Sequence, residues 1–538
     1  MHETPTLSYA FGKNHWDLEP DLPLILEALL PGWHGFEGVL SAFGAKCGAE
    51  VAEAGYHTDH EARPVLVAHD LDGRRIDRVR LNPSQARLLP ELAFVNRPPF
   101  EGRSWLEHYA LGFLLADPGL YCLLTITGQT AYALHKYAPG QKAWEEKLLS
   151  GEAWGATWMT ENQGGSDLGA NQTVARRDGE GWRLTGEKYF ASGAGLADAA
   201  LVTARPAGAP PGPKGLALFL VPRLNRAGEL NFFVRRLKDK SATRSVPSGE
   251  VELAGSEAVL IGEAQEGIYY TLETLTVSRL ANAVAAMGIA RKAHLEAALR
   301  SRRRHSFGRA LAEHPLVRRD LVEMEVRMAG GLALALFAAR AFDRAWLERP
   351  PYSRAYHAAR FLTHLAKNRT ADHASAITQT AMELFGGLGF LEEYAVARWH
   401  REALITPIWE GPSNIQALDL LESMTKKRAH ESFLEEMLPR LERAGEEPAR
   451  MARRALEDTV GHLSALPPDE AQWYAKEGVA RLADAAQVAL LYDMAAVGGE
   501  RFAKLARLYA ERFIRREEFP AWALTEEDLW SWEALRRA

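Results

Sequence analysis

Cysteine is nearly missing: the 538-residue chain holds two, Cys47 and Cys122. Two cysteines in so long a chain make no disulfide framework, and a reducing, cytoplasmic setting is expected. Long apolar runs are missing too. The longest, MAGGLALALFAA from Met328 to Ala339, lies between Arg327 and Arg340 and is too short to cross a bilayer, so a buried helix is expected and no membrane partner. The opening MHETPTLSYAFGKNHWDLEP has no basic stretch followed by an apolar one, so no signal peptide is expected. Excess positive charge is absent as well. The net charge of -6 removes bulk basicity as a reason to bind nucleic acid or anionic lipid. HExxH, paired CxxC, EF-hand, Walker, GxGxxG and GxSxG patterns are all lacking. His357, His364 and His373 therefore read as surface or core residues rather than metal ligands.

What is present is ordinary globular composition, 47% hydrophobic and 25% charged. The pattern changes period along the chain. Up to residue 153 apolar residues recur three and four apart, as in LPLILEALLPGWHGFEGVLSAF. Over 154–268 the period becomes two, with turn residues between GWRLTGEKYFASG, ADAALVTARP, KGLALFLVPR, LNFFVRRLKDK and GEVELAGSEAVLIG. Over 269–425 helix returns, rich in Ala, Leu and Arg, with one long helix expected to end near Gly308. Residues 426–538 are again helical, broken at LPPDEA. Strands and helices do not alternate, which excludes a doubly wound sheet. The expected fold is mainly α with a central antiparallel β domain.

Five segments could carry chemistry, and each has a plain structural reading beside it. WMTENQGGSDLGAN, from Trp158 to Asn171, could offer a nest of amides at Gly164, Gly165 and Ser166, or be a simple turn. In EKYFASG, Phe190 and Ser192 share a face by period two; they could hold a planar heterocycle or fill a core. In SRRRHSFG, Arg304 could clamp a pyrophosphate or complement a helix dipole. In MELFGGLGF, Gly386, Gly387 and Gly389 could serve a ligand or a helix end. In IWEGPSNIQ, Glu410 follows Ile408 and Trp409 and precedes Pro412. It reads equally as a helix-start acid and as a group some reaction uses.

In this order and at these spacings the segments resemble the acyl-CoA dehydrogenase flavoproteins. MTENQGGSD resembles that family's flavin loop VTEPGAGSD, KYFAS its KMWIT strand, and RRHSFG its ERxxFG element. MELFGGLGF resembles VQIFGGNGF, and WEGPSNIQ resembles YEGTSQIQ. The resemblance runs from about residue 90 to 425. It implies an N-terminal helical domain (1–153, with an extension), a middle β-barrel-like domain (154–268), a four-helix bundle (269–425) and here an added helical domain (426–538). It also implies FAD as cofactor. Met159 and Thr160 would meet the flavin ring, Gly165 and Ser166 the pyrophosphate, and Phe190 and Ser192 the ring and its N5. Arg304, Ser306, Phe307, Glu383, Gly387 and Asn414 would contact FAD, several across a subunit interface, in at least a dimer and usually a homotetramer.

Glu410 falls on the catalytic base of α,β-dehydrogenation of an acyl-CoA or related thioester. That role needs a carboxylate whose pKa is raised by apolar surroundings, here Ile408 and Trp409, and a thioester oxygen held by hydrogen bonds. Some members carry the base in an earlier Glu-Arg pair; Ser278-Arg279 stands there, so Ser278 cannot serve. An electron-transferring flavoprotein is the usual acceptor. Departures are Pro412 for a family Thr, Glu383 for a Gln, and Asn162 and Gln163 for Pro and Gly.

TENQGGSD, RLKDKSATRS, EHPLVRRDL and DGRRIDRVRLNP resemble most the AidB-like branch, associated with the adaptive response to DNA alkylation. That resemblance implies double-stranded DNA as a partner and weak dehydrogenase activity. Residues 426–538 hold 18 Lys and Arg against 21 Asp and Glu, a net near -3. Any positive stripe must come from KKR (426–428), RMARR (450–454) or RFIRR (512–516).

Overall fold

A computed structural model describes residues 7–538. The chain divides into two compact units: residues 53–103 with 117–278, and residues 1–52 with 104–116 and 279–538.

The first unit holds the sheet. Strands β1 (Val65–His69) and β2 (Arg75–Arg80) form a separate hairpin. Its turn carries Asp72 and Gly73, with Gly73 at φ +80 and the Asp70 carboxylate accepting from the amides of Asp72 and Arg74. The helical reading of 1–153 missed this hairpin, although Asp-Gly is a known turn signal. The main sheet has seven strands: β3 (Gly155–Trp158), β4 (Val174–Asp178), β5 (Gly181–Ser192), β6 (Ala199–Pro206), β7 (Ala217–Pro222), β8 (Phe233–Leu237) and β9 (Ser248–Leu260). Their order is β3-β6-β4-β5-β9-β7, with β8 on β9. A further β6–β7 pairing closes five strands into a barrel-like ring. Most pairings are antiparallel, while β3–β6 and β4–β6 are parallel. The helix Pro118–Tyr137 belongs to the same unit. The Asp117 carboxylate caps it by accepting from Gly119 N, and Pro118 fits the first turn, where no N–H is needed.

The second unit is helical. The helix Pro315–Asp343 contains the apolar run 328–339, all of it buried. It packs against Arg354–Phe385, which Ser353 caps by accepting from Ala355 N and Tyr356 N. Small residues set the spacing here: a Cβ on Gly331 would come within 2.4 Å of Met287 Sδ. The long helix Gly267–Arg303 stops five residues before Gly308. His305–Ser306 and Arg309–Ala310 form a tight hairpin there instead. The C-terminal helices Ala429–Ala444, Glu447–Ala465, Pro468–Gly498 and Glu500–Tyr509 complete the unit. A buried ionic cluster lies within it. Arg291 bonds Glu19 (2.8 Å), Asp21 (2.9 Å) and Glu325 (2.5 Å), and Arg501 bonds Asp21 and Glu325. Burial first, and then the neighbouring carboxylates, raise the Asp21 pKa well above normal. A protonated Asp21 matches three carboxylates to two guanidiniums. Among the described residues no helix is long and apolar enough to cross a membrane.

Candidate functional site

The thirteen residues singled out in the sequence fall into two groups. Met159, Thr160, Gly165, Ser166, Phe190 and Ser192 lie on the sheet unit, and the other seven on the helical unit.

On the sheet unit the segment after β3 forms a loop whose base is buried and whose tip is open. Glu161 anchors it. Its carboxylate accepts from Gln172 N (2.5 Å), Thr173 N (3.2 Å), Thr173 Oγ1 (2.6 Å) and Lys188 Nζ (2.7 Å). Burial alone would raise the Glu161 pKa, but the Lys188 ammonium and these bonds lower it. Burial pulls Lys188 down to about 8, with Glu161 opposing. Asn171 Nδ2 donates to Met159 O (2.8 Å) and Tyr189 N to Thr160 O (2.8 Å), so both backbone carbonyls at the loop entry are fixed. At the tip Gly164 stands at φ +130 with open space around it. A Cβ on Gly165 would come within 2.5 Å of Thr160 Oγ1, so glycine leaves room for that hydroxyl.

β5 supplies the apolar part. Its register shifts between Lys188 and Ala191, and Phe190 sits at φ +54 within the irregularity. Strict period two, expected from the sequence, would place Phe190 on the face of buried Lys188. The bulge turns its ring outward, 58% exposed, while Lys188 stays inside. Ser192 Oγ lies 3.1 Å from Ser248 Oγ, and Ser192 O accepts from Trp158 Nε1 at 2.9 Å. An exposed aromatic face, two hydroxyls and a glycine-opened loop are the donor set that a planar heterocycle with a pyrophosphate tail requires.

On the helical unit Phe307 and Gly308, at φ +50 and +81, make the two-residue turn of the short hairpin. Phe307 is 96% exposed and Arg304 is exposed beside it. His314 Nε2 lies 3.0 Å from Ser306 O. A bulky residue in a left-handed turn, with its ring in the open, is held there at a cost in strain. Glu383 is exposed at the end of Arg354–Phe385, near Gly387, Phe390 and Asn414, which are also exposed.

Glu410 is the second non-glycine residue of this unit in a left-handed conformation at a predicted site, at φ +59, followed by Gly411 at φ +97. Side chains pin both carbonyls. Glu410 O accepts from Arg279 Nε and Gln416 Nε2, each at 3.0 Å. Gly411 O accepts from Lys367 Nζ (2.7 Å) and Gln416 Nε2 (3.0 Å). Behind Gln416, His364 reaches Gln416 Oε1 and Asp419 Oδ2, both at 2.6 Å, and Asp419 also pairs with Arg360 and Arg279. Burial would raise the Asp419 pKa, but His364 and the two guanidiniums hold it far below the carboxylate range. Trp409 Nε1 donates to Asn282 Oδ1. The expected apolar setting of Glu410 needs correction. Ile408 is 60% exposed, and the turn is held by two buried cations, Arg279 and Lys367. Pro412 caps the helix Ser413–Lys427 rather than opening it.

Sequence reasoning missed Glu161, Asn171, Lys188, Lys367, Gln416 and Asp419. A charged Lys188 on the inward phase of an alternating strand was a readable signal. Lys367, inside a helix with no motif around it, gave none.

The residues carrying this geometry recur in known proteins. The acyl-CoA dehydrogenase middle domain matches residues 156–255, and the C-terminal domain of the same enzymes matches 265–425. The N-terminal domain of the adaptive response protein AidB matches 8–153. The AidB protein of Escherichia coli (strain K12) is 34% identical over 400 residues, covering 69% of this chain and 71% of that protein. The chain belongs to the acyl-CoA dehydrogenase family. Caenorhabditis elegans ACDH-11, crystallised in complex with C11-CoA, superposes with a TM-score of 0.85 at 26% identity, over 98% of this chain and 96% of that one. An acyl-CoA dehydrogenase from Bacillus anthracis complexed with FAD shares the fold, with a TM-score of 0.67 at 18% identity, over 84% of this chain and 83% of that one. Acyl-CoA dehydrogenases bind FAD, and the donor set of the sheet unit fits that cofactor.

The basic clusters of the C-terminal helices are largely neutralised. Arg450 and Arg454 pair with Glu447, and Arg453 with Glu442 and Glu457. Arg512 pairs with Glu323, Arg515 with Glu511, and Arg516 with Glu477.

Proposed function

We propose that this acyl-CoA dehydrogenase family member is an FAD-dependent oxidoreductase of acyl thioesters, with Glu410 as its base. The supporting observation is the Glu410–Gly411 turn: a strained carboxylate-bearing residue at φ +59 whose carbonyls are held by Arg279, Lys367 and Gln416. Strain maintained by three side chains marks a position built for use. Glu410 takes the α-proton onto its carboxylate, the Cα–H pair becomes the new α,β double bond, and the β-hydride departs. FAD, when bound, supplies the acceptor for that hydride. The Glu410 N–H is the donor assigned to the thioester oxygen, where enolate charge grows. Thr160, Gly165 and Ser166 bind the polar parts of the cofactor, and Phe190 shields one face of its ring. Arg304, Ser306, Phe307, Glu383, Gly387 and Asn414 complete cofactor binding in a homotetramer, and an electron-transferring flavoprotein collects the electrons.

The test is anaerobic titration of the yellow protein with a panel of acyl-CoAs, C11-CoA included. Bleaching of the flavin by at least one thioester, lost in Glu410→Gln, is expected. Absence of bleaching by every thioester overturns the reading. The competing reading is a flavin-containing, DNA-associated protein with residual dehydrogenase activity. The paired clusters of the C-terminal helices weigh against it, because counterion release needs uncompensated positive charge.

A further inference from the structure

Lys367 sits mid-way along the helix Arg354–Phe385 and is 1% exposed. Its ammonium has three donors, and Gly411 O is the acceptor that one of them reaches, at 2.7 Å. Burying an ammonium is costly, and a neutral amide could have bonded the same carbonyl. The position therefore asks what the charge is for. We propose that Lys367 is a positioning residue for Glu410: its ammonium fixes the left-handed Glu410–Gly411 turn and supplies the positive charge that keeps the adjoining carboxylate ionised and ready to accept a proton. The inference rests on the reading of Glu410 as the base.

Charge and geometry support each other here. Burial, then Arg279, lower the Lys367 pKa to about 7, while Glu410 and Asp372 raise it. The coupling is mutual, so Lys367 favours the ionised form of Glu410 as Glu410 favours the ammonium. Arg279 contributes from the other side, bonding Glu410 O, with its own charge balanced by Asp419. His364 and Arg360 also neutralise Asp419, so Lys367 is the buried cation of this turn with no acidic ion-pair partner behind it.

Flavin-loaded wild type, Lys367→Arg, Lys367→Gln and Lys367→Met separate the roles. Gln keeps a donor for Gly411 O without charge, Met removes both, and Arg keeps both. The infrared carboxyl band that Glu410→Gln removes is followed against pH, which reads Glu410 without turnover. In Lys367→Gln and Lys367→Met its midpoint is expected about one unit or more above wild type, and in Lys367→Arg close to it. Flavin reduction by the best thioester should fall about tenfold in Lys367→Met at neutral pH, chiefly in kcat. A midpoint in Lys367→Gln and Lys367→Met equal to wild type overturns the proposal, whatever the turnover. Failure of every thioester to bleach wild type overturns the base assignment, while the infrared midpoints still decide whether Lys367 holds the carboxylate charged. Lys367→Gln provides the reading if Lys367→Met does not fold.

Discussion

Lys188 Nζ lies 2.7 Å from Glu161 Oε1 beneath the glycine loop, with both groups buried. One comes from the loop itself and the other from the strand that carries Phe190. The pair joins the polar and apolar parts of the cofactor cradle, although neither residue reaches its open face. Replacing one partner strands the other charge. Glu161→Gln or Lys188→Met should destabilise the protein by about 3–5 kcal/mol. Urea melts check this, and flavin fluorescence should show faster cofactor release. The double variant Glu161→Gln with Lys188→Met should recover part of the loss.

Lys188 also makes stability depend on pH. Its folded pKa, about 8, lies below the unfolded value of 10.5. The unfolded chain therefore holds more protons between these values. The cost of burying the ammonium is fully present below pH 8 and is relieved as pH rises toward 10.5. Unfolding free energies at pH 7.5, 9 and 10 should show a smaller upward contribution in Lys188→Met than in wild type.

Glu325 faces Arg291, Arg501 and His294 in the buried cluster. Burial would raise its pKa, but Arg291 and then its other partners hold it well below normal. Its contribution is present above the unfolded carboxylate range and lost as pH falls below it. Glu325→Ala should lower the melting temperature strongly at pH 7 and narrow its gap to wild type in acid. An equal gap at both pH values would contradict this.

Phe307 occupies a turn that Asn or Gly would fill with less strain. Phe307→Asn should leave the melting temperature equal or higher. It should weaken flavin retention and shift the mass seen by analytical ultracentrifugation toward smaller species. Unchanged mass and retention would remove Phe307 from the assembly surface.

Duplex DNA should bind weakly, because Arg453 and Arg454 already face Glu442, Glu457 and Glu447. Mobility at low salt should change little in the Arg453→Glu, Arg454→Glu variant. A steep salt dependence lost in that variant would show that these pairs open for phosphate.

The sequence by itself determined the family, the helix–sheet–helix order and the positions of the glycine and carboxylate motifs. These depend on local pattern: period, turn residues and short strings whose spacing the chain carries along its length. Tertiary structure decided the rest. The β1–β2 hairpin was concealed among helical periods, although Asp72-Gly73 marked its turn. The outward ring of Phe190 depends on a bulge, which alternation does not foretell. The setting of Glu410 changed most. Neighbours in sequence suggested an apolar pocket, but Ile408 lies at the surface, and Arg279, Lys367 and Gln416 come from 131, 43 and 6 residues away to hold the turn. Electrostatic environment is a property of distance in space, and two of these three partners are close to Glu410 only after the helices have packed.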